Sequence, residues 1–153
     1  SCEEVDIDFH ARYNACGKTY RYLIYNKPYR SPLYKDLSYH VRYDLDLDKI
    51  RSEAKYLIGT HDFGGFMSSG SSVKDTVRTI YDVDIKENDR MISIEVSGNG
   101  FLYNMVRIIV GTLVDIGRGR IKHNMEEIIN SKSRSMCGHT APAHGLFLKK
   151  VNY

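Results

Sequence analysis

GNGFLYNMVRIIVGTLVDIGRGR, Gly98 to Arg120, is the stretch around which the rest of the chain has to be arranged. Its spacing predicts a helix from about Phe101 to Gly117, opened by the Ser97–Gly100 turn. On a helical wheel Phe101, Leu102, Met105, Ile108, Ile109, Thr112, Leu113 and Ile116 share one broad face, which has to pack on a sheet. Val106, Val110 and Val114 border the opposite side, so the helix is apolar nearly all round and must be covered twice. Arg107 lies on that second side. A lone arginine opposite an apolar stripe is ordinarily a solvated one. Here its neighbours argue for a contact surface, where a guanidinium needs a carboxylate or phosphate because an unpaired buried cation costs several kcal/mol. Asp115 is about two turns away and on a different side. The partner is therefore expected from another segment, another chain or a substrate.

Working outward, strands flank this helix. Thr19 to Asn26 (TYRYLIYN) alternates Tyr20, Tyr22 and Ile24 with Arg21, Leu23 and Tyr25, as a strand does. Thr76–Lys86 and Arg90–Val96 read as an antiparallel hairpin turning at Glu87–Asp89. Leu146–Tyr153 reads as a last strand. Asp46 is suited to cap a helix running to about Ile58, with Gly59 closing it, and a short helix is expected over Asn124–Asn130. The segment Gly59–Lys74 reads as a loop in which HDFGGF seats Phe63 and Phe66 in the core. The order suggests an α+β fold, an antiparallel sheet with helices packed on one face, and no linker divides residues 1–153 into more than one domain.

The chain has 153 residues, 42% of them hydrophobic and 27% charged, which suits one compact domain or one large piece of a bigger protein. It opens with Ser rather than Met, consistent with a piece of something longer. No run reaches the roughly 18 apolar residues of a membrane helix, and no basic-then-apolar leader is present, so a soluble, cytoplasmic location is expected. Three cysteines without paired spacing argue against a disulfide framework. Net charge is only +3, but it is unevenly spread. Arg12, Lys18, Arg21, Lys27, Arg30, Lys35 and Arg42 face a single acid, Asp36, between residues 12 and 42, and seven tyrosines are interleaved with them. Cations among aromatic rings suit a surface that holds phosphates and stacks bases; a packed β-rich segment with solvated cations fits the same composition.

Other chemistries fit less well. Gly98-x-Gly100 lacks the third glycine of a dinucleotide fingerprint, since Tyr103 stands there. Cys137, His139 and His144 suggest a metal site or a Cys–His nucleophile, but neither a fourth ligand nor a positioning carboxylate is apparent. His61 and Asp62 are adjacent, and neighbours on a strand point apart.

Four segments together resemble the TruA-type tRNA pseudouridine synthases: DFHARYNACGKTYRYLIYN (Asp8–Asn26), GTHDFGGF (Gly59–Phe66), Gly98–Arg120, and TAPAHGLFLKKVNY (Thr140–Tyr153). They occur in that family's order and cover essentially the whole chain. The resemblance implies an isomerase acting as a homodimer on uridines of the tRNA anticodon stem-loop, without cofactor or metal. It also implies roles. Tyr20 is similar to the tyrosine that stacks on the target uracil, Arg107 to the basic residue paired with the catalytic aspartate, and Leu146 to the apolar residue lining the uracil pocket. Arg12, Lys18 and Arg21 fall on the expected RNA-facing edge. The family's Arg-Thr-Asp-Ala-Gly-Val-His motif, whose aspartate is the nucleophile, has no counterpart here, and Asp62 belongs to the separate HDF loop. The chain thus resembles the C-terminal portion of such an enzyme and is expected to be inactive alone. A noncatalytic RNA-binding module is the alternative.

Overall fold

The computed structural model describes residues 4–11, 13–89 and 91–153. Six strands and three helices alternate along the chain: β1 (Gly17–Asn26), β2 (Tyr39–Val41), α1 (Leu47–Ala54), β3 (Gly59–Asp62), β4 (Val77–Asn88), β5 (Met91–Gly98), α2 (Met105–Gly117), α3 (Met125–Ser131) and β6 (Leu146–Asn152). The strands form one mixed sheet in the order β2-β1-β5-β4-β3, with β6 pairing β1 on the same side as β2. The β1–β2 pair is parallel, Ile24 opposite Tyr39, and every other pair is antiparallel. An α+β architecture is therefore observed, though the sheet is not purely antiparallel.

One sheet face carries the core. Tyr22 and Ile24 of β1 lie opposite Ile94 and Ile92 of β5, and all four are at most 1% exposed. They join Ile50, Leu57, Ile108, Ile109, Leu113, Ile116, Met125 and Ile128 from the helices in a single apolar cluster. Residues of the other parity, such as Arg21 and Glu95, share the outer face.

The local signals act as read. Asp46 caps α1, its Oδ1 accepting from the Lys49 backbone N–H at 2.9 Å. The helix tightens into a 3-10 turn over Lys55–Leu57 and the chain then turns at Gly59, whose φ of +116° suits a residue without Cβ. Asn124 caps α3 in the same way as Asp46 caps α1. The strands of the hairpin are paired out to Asn88 and Met91, with Asp89 at φ +51°, while Arg90, read as the first residue of the second strand, lies outside the described residues. Phe63 and Phe66 are buried as expected.

Two strands differ from the sequence reading. Gly59–Asp62 is strand rather than loop, paired with β4, and β2 is three residues held by β1. The central helix also starts four residues later than expected, at Met105. Asn104 stands before it in the left-handed region at φ +61°, which prevents Phe101–Asn104 from being helical.

Candidate active site

Backbone geometry brings the N-terminal turn of α2 against the segment before β6. Gly111 makes this possible, because a Cβ there would come within 1.8 Å of the His139 carbonyl oxygen. One turn earlier, Arg107 meets Ala141. Its backbone carbonyl accepts from the Ala141 N–H at 3.1 Å, and its Nε donates to the Ala141 carbonyl at 2.7 Å. Nη1 donates to Asn104 Oδ1 at 2.9 Å, and Asn104 Nδ2 in turn donates to Ser68 Oγ at 3.1 Å. A guanidinium has five N–H donors. Nε and one N–H of Nη1 are occupied, which leaves three, and among the described residues Arg107 forms no ion pair. The guanidinium is thus oriented by neutral groups while its charge stays unneutralised.

The sheet supplies the opposite wall. Tyr20, half-buried, packs edge-on against Phe101 with ring centroids 5.2 Å apart. Tyr22 lies two residues on along the same face, and its hydroxyl donates to the Pro142 carbonyl at 2.6 Å. Burial, followed by the neighbouring Tyr39, pushes its phenol above the ordinary range, and the charge of Arg107 opposes this. Arg107 therefore acts electrostatically on the aromatic side of β1. In β6, Leu146 pairs with Tyr22 and Leu148 with Tyr20; Leu146 is half-buried and packs on the core, while Leu148 is 55% exposed. Tyr20 and Leu146 thus lie on the paired strands β1 and β6, Leu146 beside Tyr22, and Arg107 reaches this region through its charge on Tyr22 and its bonds to Ala141.

The basic candidates separate. Lys18 has the parity of Tyr20, opposite Gly98 and Val151. Arg21 points to the outer face, away from Tyr20 as the strand alternation requires, where its Nε meets Glu95 Oε1 at 2.8 Å, so it does not stand beside Tyr20 on one edge. Lys149 meets the other oxygen of Glu95 at 2.5 Å, and hydrogen bonds from Lys149 and Arg21 hold this carboxyl below its usual range despite partial burial. Arg12 lies outside the described residues.

The residues set aside from sequence are engaged elsewhere. Asp62 accepts from Thr76 Oγ1 and the Gly64 N–H and pairs with Lys132 at 2.9 Å; the Thr76 bond is the largest influence holding it below the carboxylate range. The Cys137 thiol donates to the Gly65 carbonyl, His139 Nδ1 lies 2.8 Å from Asp115 Oδ2, and His144 Nε2 lies 3.0 Å from the Ser38 carbonyl. Burial pushes the Cys137 thiol up to about 11, the wrong direction for a nucleophile. Sequence reasoning missed Asn104 and the Ala141 and Pro142 carbonyls. The first had a visible signal, standing three residues before Arg107 where the sequence reads as the start of a helix; the carbonyls had none.

The α+β scaffold and its oriented arginine are those of a chain whose family the sequence comparisons identify. Residues 54–153 match the family described as tRNA pseudouridine synthase, and the chain belongs to that family. It is 53% identical over 152 residues to tRNA pseudouridine synthase A of Acetivibrio thermocellus, covering 99% of this chain and 62% of the relative. Proteins of the same name from Ruminiclostridium cellulolyticum and Thermoanaerobacter sp. are 50% and 47% identical, with 99% of this chain and 62% of each relative covered. The chain thus spans about 62% of the length of these curated relatives.

Proposed function

We propose that this chain supplies the uridine-holding and aspartate-orienting half of a pseudouridine synthase active site, acting on uridines of the tRNA anticodon stem-loop in the cytoplasm as a homodimer. The observation that carries the reading is Arg107: fixed by Ala141 and Asn104, it keeps three N–H donors for a group that none of the described residues provides. A carboxylate is the natural complement of that fork. In this reading the nucleophilic aspartate comes from polypeptide outside these 153 residues, and the chain alone does not turn over.

Arg107 then has two tasks. Its charge keeps the aspartate ionised at neutral pH, and its hydrogen bonds fix which oxygen faces the nucleotide. Tyr20 holds the base by stacking, and Leu146 closes the apolar side of the pocket. The aspartate attacks the flipped nucleotide, the N-glycosidic bond breaks, the uracil turns, and a carbon of the ring rejoins the sugar. No redox change is involved, so the reaction calls for no electron carrier. Lys18 and Arg21 contact tRNA phosphates from the two sides of β1, and Arg12 belongs to the same edge.

The test is pseudouridine formation in an anticodon stem-loop transcript. Complementing the chain with the remaining part of a relative's sequence, about 38% beyond the 62% it covers, should produce the isomer, while the chain alone should not. In the complete protein, Arg107→Ala should reduce turnover by about 10³-fold or more, as expected when a group stabilising the reacting charge is removed. Arg107→Lys should recover only part, since it keeps charge and loses the fork. Full activity in Arg107→Ala, or a folded, complete protein that binds tRNA without isomerising it, would refute the proposal.

A further inference from the structure

Away from Arg107, the segment between β1 and β2 meets the C-terminal end of α2 at a concavity of about 440 Å³, whose lining includes Tyr29, Arg30, His40, Arg42, Tyr43 and Arg118. Two guanidinium groups lie over the Tyr43 ring, with Cζ of Arg118 4.0 Å and Cζ of Arg42 4.7 Å from its centroid. Arg42 Nη2 also donates to the Tyr43 hydroxyl at 2.6 Å. That hydrogen bond, reinforced by the charge of Arg42, holds the phenol below its ordinary range.

The charges here are not balanced locally. Among the described residues no carboxylate is within ion-pair distance of Arg30, Arg42 or Arg118. The buried acid nearby, Asp115, is already engaged by His139 and Arg120. Three like charges converging on one concavity repel one another. An anion with several acceptor oxygens relieves that repulsion and is gripped by the guanidinium forks, and stacking on Tyr43 keeps two of the three from dispersing into solvent.

The aromatic component narrows the choice of anion. Tyr29 is 84% exposed and stands at the same rim, a free ring face beside a cationic floor. A base can stack on that face while its phosphate meets arginine, the arrangement by which single-stranded nucleic acid is held without sequence preference. An acidic peptide would use the guanidiniums and leave the ring unused. Arg118 follows Arg107 by eleven residues on α2 and its cap, about 16 Å along a helix axis. A phosphate bound here therefore lies apart from the group that Arg107 orients.

We propose that Arg42, Tyr43 and Arg118, with Arg30 and Tyr29 at the rim, form a second RNA-contact site that grips the phosphodiester backbone at a distance from the reacting nucleotide. The choice of RNA rests on the function proposed above; the polyanion site itself rests on the cluster alone.

The experiment is a salt titration of binding by the intact protein, with a tRNA transcript and a short oligouridylate as probes. Each phosphate contact contributes about 0.7–0.9 to the slope of log K against log salt. The double variant Arg42→Gln/Arg118→Gln should bind tRNA roughly tenfold more weakly near 0.1 M salt and lose about one such increment or more in slope. Arg42→Gln alone, which alters only an exposed side chain, should lose part of both, and Lys86→Gln on the outer sheet face should lose neither. Should the complete protein, this chain joined to the remainder of a relative's sequence, fail to form pseudouridine while the double variant still lowers the oligouridylate slope, the assigned activity falls and the polyanion site stands. An unchanged slope in the double variant with both probes overturns the site. So does a change in oligomeric state with RNA binding intact, which would make this surface a contact between copies.

Discussion

Arg107 is held in place before anything binds to it. Two neutral acceptors orient the guanidinium, so its arrangement does not depend on a counterion, and one of them, Asn104, occupies the left-handed region that asparagine tolerates better than most residues. This separates side chain from backbone experimentally. Asn104→Gly keeps the φ of +61° accessible and removes only the amide, so turnover of the complete enzyme should fall about tenfold, equivalent to ~1.4 kcal/mol, with KM for tRNA little changed. Asn104→Ala should add a loss of thermal stability, because an alanine in that conformation costs about 1 kcal/mol or more. Steady-state kinetics and melting of the two variants distinguish the contributions. Asp62 has a different role: its Thr76 and Lys132 contacts depress its folded-state pKa. A depressed carboxylate adds stability above its unfolded value near 4, and that contribution is lost as pH falls through the folded value. The Tm should therefore drop more steeply below about pH 4 in the parent than in Asp62→Asn, and parallel curves would show that the network contributes nothing.

At the scale of elements, the decisive contact is the crossing of α2 and the Gly138–Ala141 segment. A Cβ at position 111 would overlap the His139 carbonyl, and neither partner is a flexible side chain that could move aside. Gly111→Ala should destabilise the fold by roughly 3 kcal/mol or more, despite the higher helix propensity of alanine. A denaturant midpoint equal to or above the parent's would contradict the close approach. The helix itself was legible because its apolar residues recur at helical spacing over thirteen residues, and β1, β4 and β5 were legible because they alternate. β2 and β3 were not. At three and four residues they are too short to show a period, and each is strand because an extended neighbour, β1 or β4, offers it hydrogen bonds. The same limit applies to the site. Arg107 stood out by its position on a wheel, and Tyr20 by alternation together with family likeness, whereas the carbonyls that fix Arg107 and Tyr22 come from residues 141 and 142, whose placement only the folded chain determines.

Over the whole molecule, stability and proposed chemistry are divided between the two sides of the sheet. The helix side holds the apolar cluster together with Tyr20 and Arg107, while the outer side holds the Arg21–Glu95–Lys149 network. Hydrogen exchange should be slowest in β1, β5 and α2, which carry most of the fully buried side chains, and fastest between Pro28 and Leu37, where nearly every residue is exposed. Mass-resolved exchange of the native protein checks this, and equal protection of the two regions would contradict it. Strand β1 is hydrogen-bonded along one side by β5 and along the other by β6 and then β2, so Tyr20 sits on a strand with no free margin. Warming therefore has no loose border from which to peel this tyrosine away in stages. The ring keeps its aim until the sheet gives way, and a catalyst built on it would be lost abruptly, at the melting point, instead of fading before it.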